Sequence, residues 1–174
     1  EEINRRLVGV LADLHFAPTD QAVRNLRKEG VPAGKIVRTG NTVTDALLWA
    51  ARKIRREPPP LPDGIPPPAK GRRLVLVTGH RRENFGGGLE EICRALKAAA
   101  AACPDLDFVY PVHLNPNVKA PVHRLLGGQP RISLVPPVSY PEMVALLRRA
   151  WLVVTDSGGI QEEAPTFGVP VLVT

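Results

Sequence analysis

The chain has 174 residues, of which 44% are hydrophobic and 23% charged, a balance that is typical of a soluble protein with a real core. No apolar run approaches the roughly 20 residues that a bilayer span needs, so we expect no membrane association. The net charge of +6 would suit nucleic acid. However, the basic residues are scattered over predicted helix faces with almost no interleaved aromatics, which favours a solvated surface and no nucleic-acid partner.

The two cysteines, Cys93 and Cys103, lie ten residues apart on one predicted helix or at its end. This arrangement favours free thiols over a disulfide, and the sequence around them has no metal-ligand spacing. A reducing, cytoplasmic setting fits these thiols. The chain begins at Glu1 without a methionine and ends in the strand-like run Val169–Val173. We therefore expect a piece of a longer protein.

Residues 1–57 alternate helices with short strands, which favours parallel βαβ units. Apolar positions at helical spacing predict a first helix over residues 1–13. Short strands are predicted at 14–17 and 35–38, and helices at about 19–28 and 42–56. Residues 58–70 then contain seven prolines and can form neither a helix nor a central strand, so 58–71 are predicted to be a stiff connector between domains.

Residues 72–174 resume the alternation with five predicted strands and four helices between them. This order predicts a doubly wound, Rossmann-like parallel sheet with right-handed crossovers. Strands are predicted at 74–78, 108–112, 132–135, 151–155 and 169–173. Ligands of such sheets lie at the carboxyl ends of the strands, where the loops are residues 79–88, 113–117, 136–139 and 156–159.

The loop after the fourth of these strands reads Ser157-Gly158-Gly159 and opens a short helix that Pro165 should end. Unpaired N–H groups at a helix start, together with two glycines, suit a phosphate or diphosphate. Glu163, about one and a half turns on, could accept hydrogen bonds from the paired hydroxyls of a sugar. Ser-Gly-Gly is also an ordinary helix N-cap, so this stretch leaves both interpretations open.

The loop after the first strand, Gly79-His80-Arg81-Arg82, also suits a diphosphate, because guanidinium groups bind its oxygens and a histidine can donate to a leaving phosphate. The alternative is a polar loop whose arginines pair with nearby glutamates. His113, in the next loop, could contact a ligand or could only shape its turn.

Five motifs taken together resemble the non-hydrolysing bacterial UDP-N-acetylglucosamine 2-epimerases, and they span the whole chain. In order, they are Glu1-Glu2-x-Asn4-Arg5, Thr39-Gly40-Asn41-Thr42-Val43-x-Asp45-Ala46, Thr78-Gly79-His80-Arg81-Arg82-Glu83-Asn84, Tyr110-Pro111-Val112-His113-Leu114-Asn115-Pro116 and Thr155–Ala164.

The resemblance implies a GT-B-like fold, with two Rossmann-like domains and the active site in the cleft between them. The implied reaction interconverts UDP-N-acetylglucosamine (UDP-GlcNAc) and UDP-N-acetylmannosamine (UDP-ManNAc), in the synthesis of cell-surface polysaccharide precursors. It proceeds by elimination of UDP to a 2-acetamidoglucal and re-addition, and it needs neither a redox cofactor nor a metal. A homodimer is expected for the full-length protein.

The resemblance also implies roles for single residues. His80 and Glu1 match catalytic positions of the family, His80 also contacting the UDP moiety. Ser157, Gly158 and Gly159 match the diphosphate cradle, and Glu163 matches the carboxylate on the ribose. Arg81 and His113 match positions that contact a second UDP-GlcNAc, an allosteric activator.

Departures from the family pattern limit what this chain is expected to do alone. Residues 1–57 match only the end of the family's N-terminal domain plus an interdomain helix, and 72–174 match a UDP-binding domain incomplete at its end. The other catalytic carboxylates and a nucleotide-binding arginine have no counterpart, and Val138 replaces a polar residue near the uracil. We therefore expect no turnover by the chain alone.

Three other interpretations stay open at this point. One is a GT-B glycosyltransferase that uses a UDP-sugar donor, and another is a hydrolysing UDP-GlcNAc 2-epimerase. The third is a non-catalytic nucleotide-sugar binder, or a truncated chain with no function of its own. The missing parts also predict uncovered apolar side chains on two helices, namely Ile3, Leu7 and Val10 on the first and Leu47, Leu48 and Ile54 on the third.

Overall fold

The computed structural model describes residues 1–174 and divides them into two compact units, Glu1–Ala46 and Leu47–Thr174. The division falls within a helix. The Pro-rich segment at 58–70, which contains no helix or strand, lies inside the second unit. Leu61 and Ile65 of this segment pack against the apolar core of that unit.

The first unit is a small α/β element with little core. Helix α1 (Glu2–Leu11) leads to strand β1 (His15–Ala17), helix α2 (Asp20–Lys28) and strand β2 (Ile36–Arg38). The two strands pair in parallel. Thr19 caps α2, its side chain accepting the Ala22 N–H at 3.1 Å. On α1, Leu7 is 63% exposed and Val10 is 84% exposed, which confirms that this apolar face is uncovered.

Helix α3 (Thr42–Arg56) corrects one expectation from the sequence. Leu47 and Ile54, predicted to be uncovered, are buried in a cluster with Val144, because α3 packs against the helix that carries Val144. Only Leu48 of the predicted set on α3 is exposed.

The second unit is built on a five-stranded parallel sheet. Its strands are β3 (Arg73–Thr78), β4 (Leu106–Pro111), β5 (Ile132–Val135), β6 (Ala150–Thr155) and β7 (Val171–Val173). Its helices are α4 (Gly87–Ala102), α5 (Pro116–Leu126), α6 (Tyr140–Arg149) and α7 (Gly158–Glu163). The strand order β5-β4-β3-β6-β7 is that of a doubly wound sheet, which confirms the predicted α/β fold class.

Two apolar clusters cover the two faces of this sheet. One unites α4 and α5 with β3 and β4, and the other unites α6 with β3 and β6. Strand β3 is buried from Leu74 to Thr78, as expected for a central strand with helices on both faces.

Both cysteines are free thiols, and burial raises the pKa of the Cys93 thiol to about 11. None of the helices is both long and apolar enough to span a membrane.

Candidate active site

The site lies where the strand order reverses, between β3 and β6. The chain leaves β3 toward β4 on one side and leaves β6 toward β7 on the other, so a crevice opens at the carboxyl ends of these two strands. The last residues of the strands, Thr78 and Thr155, are register partners, and their hydroxyl groups are hydrogen-bonded at 2.5 Å. The loops predicted to bind a ligand, after Thr78 and after Thr155, therefore begin side by side.

Asp156 ties these two loops together. Its carboxylate oxygen Oδ2 accepts the backbone N–H groups of His80 at 2.9 Å and Arg81 at 2.8 Å, and the side-chain amide of Asn84 at 3.3 Å. The Asp156 side chain is buried and comes directly after β6. The loop that carries His80 is thus held by the loop that opens α7.

Arg81 points toward the start of α7. Its Nη2 lies 3.4 Å from the place that a Cβ on Gly158 would occupy, so the guanidinium group and the Gly158 backbone are close neighbours. Arg81 also approaches Glu83, with 3.7 Å between Nη1 and Oε1. Glu90 pairs instead with Arg94 and Arg124. The positive charge of Arg81 therefore lies beside the predicted diphosphate cradle.

His80, in the loop after β3, and His113, in the loop after β4, lie against each other. Their rings are stacked, with centroids 5.5 Å apart and 16° between the planes. The Nδ1 atom of His113 accepts the backbone N–H of Asn115 at 3.1 Å, so His113 both shapes its own turn and joins His80. The structure thus brings together His80 and His113, two residues that the sequence placed in separate loops.

Helix α7 begins at Gly158 with Ser157 as its N-cap residue. The backbone N–H of Ser157 donates to the Thr155 hydroxyl at 2.9 Å, while its side chain makes no capping hydrogen bond. The first N–H groups of α7 have no partner within the helix. Because α7 has only six residues, its dipole is short, and Arg81 is the stronger source of positive charge here.

Glu163, at the end of α7, is half-buried beside Tyr140, the first residue of α6. Burial raises the pKa of the Glu163 carboxyl, and a hydrogen bond with Tyr140 acts in the opposite direction. Burial also raises the pKa of Tyr140, and the neighbouring carboxylate adds to this. The carboxyl group therefore has one protein partner and remains partly open to solvent.

Two glycines after β3 meet different needs of the fold, close packing at Gly79 and a positive φ at Gly86. A Cβ on Gly79 would lie 3.0 Å from the Tyr110 hydroxyl, which donates to the Gly79 carbonyl oxygen at 3.0 Å. Gly86 has a φ of +80°, which favours glycine, and open space around its Cβ position. The group that approaches the Gly79 backbone closely is therefore the Tyr110 side chain.

Glu1 belongs to the first unit, where it is the exposed N-cap residue of α1 and its side chain makes no capping hydrogen bond. The adjacent Glu2 is engaged by Arg5 and Arg6, whose hydrogen bonds lower the pKa of Glu2 to about 2. Of the two neighbouring carboxylates, Glu1 is the one that no arginine of α1 holds.

Sequence reasoning missed two residues of this site. Asp156 stands inside the motif quoted above, but its bonds reach back to residues 75 and 76 positions earlier, and that pairing depends on β3 lying beside β6. Tyr140 was not among the candidate residues. The only sequence signal for these residues is their position at the carboxyl ends of the strands, where ligands bind. Asp156 directly follows a predicted strand, and Tyr140 directly follows the loop at 136–139.

The family model described as UDP-N-acetylglucosamine 2-epimerase matches residues 1–174. The chain belongs to this family. Among its relatives, a protein of Ralstonia solanacearum named "Probable UDP-N-acetylglucosamine 2-epimerase" is 54% identical over 176 residues, and the UDP-N-acetylglucosamine 2-epimerase of Escherichia coli K12 is 50% identical over 179 residues. Both alignments cover 99% of this chain and 47% of the relative.

The fold agrees with that of solved members of the UDP-N-acetylglucosamine 2-epimerase family. The crystal structure of the Neisseria meningitidis enzyme, described as bound to UDP-GlcNAc, matches with a TM-score of 0.89 and 40% identity. The match covers 99% of this chain and 47% of that one. The chain thus spans about half the length of the epimerases that it matches, and its fold is GT-B-like.

Proposed function

We propose that the protein to which this chain belongs is a UDP-N-acetylglucosamine 2-epimerase, and that the second unit holds the UDP part of the substrate. The observation that carries this proposal is the meeting of His80, Arg81 and Gly158 at the carboxyl ends of β3 and β6. Membership of the family and the named activity of relatives at about 50% identity support it.

The diphosphate is proposed to lie between Arg81 and the start of α7. The backbone N–H groups of Gly158 and Gly159 and the hydroxyl group of Ser157, which makes no capping hydrogen bond, would donate to its oxygens, and Arg81 would neutralise part of its charge. Glu163 would accept hydrogen bonds from the ribose hydroxyls, since it is partly exposed and has only Tyr140 as a side-chain hydrogen-bond partner. His80 would contact the diphosphate from the loop after β3.

The proposed reaction is an elimination followed by a re-addition. A base removes the proton from C2 of the sugar while the bond from C1 to the UDP oxygen breaks, giving a 2-acetamidoglucal and UDP. UDP then adds back to C1 after C2 has been reprotonated on its other face. Positive charge and N–H donors around the diphosphate favour its departure. Glu1 is proposed as a base, because its carboxylate is not held by arginines as that of Glu2 is.

Further parts of the proposal concern the full-length protein. We expect it to act as a cytoplasmic homodimer that supplies precursors for cell-surface polysaccharides, with UDP-GlcNAc, UDP-ManNAc and UDP as its ligands. Arg81 and His113 are proposed to contact a second, activating UDP-GlcNAc. Since Arg81 also lies beside Gly158, the two nucleotide sites would then share this residue.

The decisive experiment incubates the full-length protein with UDP-GlcNAc in deuterium oxide. We expect UDP-ManNAc to form and deuterium to appear at C2 of both sugars, because the proton removed from C2 is replaced from solvent. A glycosyltransferase would release UDP only with an acceptor and would leave C2 undeuterated. A hydrolysing epimerase would release free N-acetylmannosamine. Either of these outcomes would overturn the proposal.

The chain itself offers a separate test of the binding site. Titration calorimetry of the 174-residue chain should show binding of UDP, with no conversion of UDP-GlcNAc when that sugar nucleotide is added. Absence of detectable UDP binding by the chain would contradict the proposed site.

A further inference from the structure

Asp156 carries a buried carboxylate oxygen that has no hydrogen-bond partner. Asp156 is only 4% exposed, and its Oδ2 atom accepts hydrogen bonds from two backbone N–H groups and one side-chain amide. The other oxygen, Oδ1, is buried and unpaired. A buried, unpaired oxygen of a carboxylate is costly, so such an atom calls for a donor within reach.

The nearest basic group to Oδ1 is the imidazole of His80, whose Nδ1 lies 3.8 Å away. This distance is longer than a hydrogen bond. However, the His80 side chain is 47% exposed, so it can turn about its own side-chain bonds without disturbing the core. The backbone of His80 is already fixed by the same carboxylate group through Oδ2. The Nδ1 atom of His80 is therefore already within about 1 Å of hydrogen-bond distance from Oδ1.

The ring of His113 stacks on that of His80, with centroids 5.5 Å apart, and so limits how far the His80 ring can move on that side. The Nδ1 atom of His113 accepts the Asn115 N–H, so the tautomer of His113 compatible with this bond carries its proton on Nε2. The two Nδ1 atoms thus have different neighbours, the Asn115 N–H for His113 and the Asp156 carboxylate for His80.

We propose that Asp156 is a positioning residue for His80. Oδ1 accepts the Nδ1–H of His80, which fixes the ring's tautomer and turns Nε2 toward the open crevice above Arg81 and Gly158. The role of Nε2 toward a diphosphate rests on the function proposed above, whereas the pairing of Oδ1 with Nδ1 does not. A carboxylate that orients a histidine from behind is a recurring device in sites where the other nitrogen must meet a ligand.

The experiment measures the tautomer of neutral His80 by ¹⁵N–¹H NMR of the ¹⁵N-labelled 174-residue chain without nucleotide, at a pH where its histidines are neutral. The His80 signals are assigned by their loss in His80→Gln. We expect the proton on Nδ1, whereas a histidine that is free in water favours Nε2. A majority of the Nε2–H form in the wild-type chain would overturn the proposal.

Asp156→Asn separates the positioning role from loop support. The amide oxygen can still accept the N–H groups of His80 and Arg81, so the loop stays in place. The NH₂ group then faces His80 and can only donate, so we expect the proton of His80 to move from Nδ1 to Nε2. Retention of Nδ1–H in this folded variant would contradict the proposal.

Asn84→Ala is the matched control. It removes the hydrogen bond that the Asn84 side-chain amide donates to Oδ2 of Asp156 and leaves Oδ1 untouched, so the His80 tautomer should not change. A change in this variant equal to that of Asp156→Asn would mean that loop support alone sets the tautomer, and would overturn the proposal. Because these measurements use no nucleotide, their outcome is independent of whether the chain binds UDP.

Discussion

The Tyr110 hydroxyl and the Gly79 carbonyl oxygen form a 3.0 Å hydrogen bond that joins the end of β4 to the loop after β3. Tyr110 is almost fully buried, and burial raises the pKa of its hydroxyl far above the usual range. Gly79, the first residue of the loop after β3, is therefore fixed by a hydrogen bond from a neutral, buried hydroxyl group. A Cβ on Gly79 would lie 3.0 Å from the same hydroxyl oxygen, which is too close for an undisturbed contact.

This relationship predicts a non-additive pair of substitutions. Gly79→Ala should destabilise the chain by about 1–3 kcal/mol through overpacking, and Tyr110→Phe by about 1 kcal/mol through loss of the hydrogen bond. The double variant should lose less than the sum, because removing the hydroxyl leaves ring carbon Cζ at an ordinary 3.9 Å from the new methyl group. Urea unfolding of the wild type, the two single variants and the double variant measures their free energies of unfolding. If the two single losses simply added in the double variant, the contact would be contradicted.

Arg81 is predicted to bind the diphosphate and not the nucleoside. Arg81→Ala should weaken UDP binding by the chain about 10- to 100-fold, the loss expected for a charge-assisted hydrogen bond, and leave uridine binding unchanged. Arg81→Lys should fall between, since it keeps the charge but loses the planar fork. Titration calorimetry with both ligands measures this.

Arg82→Ala provides the control for this prediction. Arg82 is the next residue in the same loop and is also exposed, so its loss changes the net charge equally. If both alanine variants weakened UDP binding to the same extent, the effect would be general electrostatics, and Arg81 would not be a direct ligand.

The sequence predicted most of the fold because local pattern determines it here. The alternation of apolar strands with amphipathic helices gave β5 its observed bounds and placed the other strands and the helices α1 to α3 within about two residues of theirs. What local pattern cannot supply is the pairing of distant segments. Asp156 holds His80 because β3 and β6 are neighbours, and Leu47 is buried because α3 meets Val144, and neither contact follows from residues near it in the chain.

The ionised Glu163 carboxylate is predicted to lower the stability of the folded chain at pH 7 while it contributes to UDP binding. Because burial raises its pKa in the folded chain, the folded state holds the proton more tightly, so this contribution to stability is present at low pH and is lost as the pH rises through the folded pKa. Glu163→Gln should therefore be at least as stable as wild type at pH 7, with the difference shrinking below the ordinary glutamate pKa of about 4.5. Thermal unfolding across this pH range measures it.

The same substitution should weaken UDP binding, because a glutamine oxygen cannot accept from both ribose hydroxyls as a carboxylate can. In the wild-type chain, UDP binding should therefore strengthen as the pH rises through the folded pKa of Glu163, and this dependence should be absent from Glu163→Gln. Tighter UDP binding by Glu163→Gln than by wild type at pH 7 would contradict the ribose role.

Hydrogen exchange should distinguish the two units. The first unit has a two-stranded sheet, and the apolar side chains of α1 are exposed, so its amides have little buried structure to protect them. The amides of β3 and β4 lie in the centre of a five-stranded sheet that helices cover on both faces. We therefore expect exchange in α1 and α2 to be faster than in β3, β4 and α4, measured on a sample shown by light scattering to be monomeric.

Self-association through the exposed face of α1 would instead slow exchange in α1 as the protein concentration rises, and Leu7→Ser should abolish that dependence on concentration. Uniform protection of both units in a monomer would show that the first unit is more stable than its small core predicts.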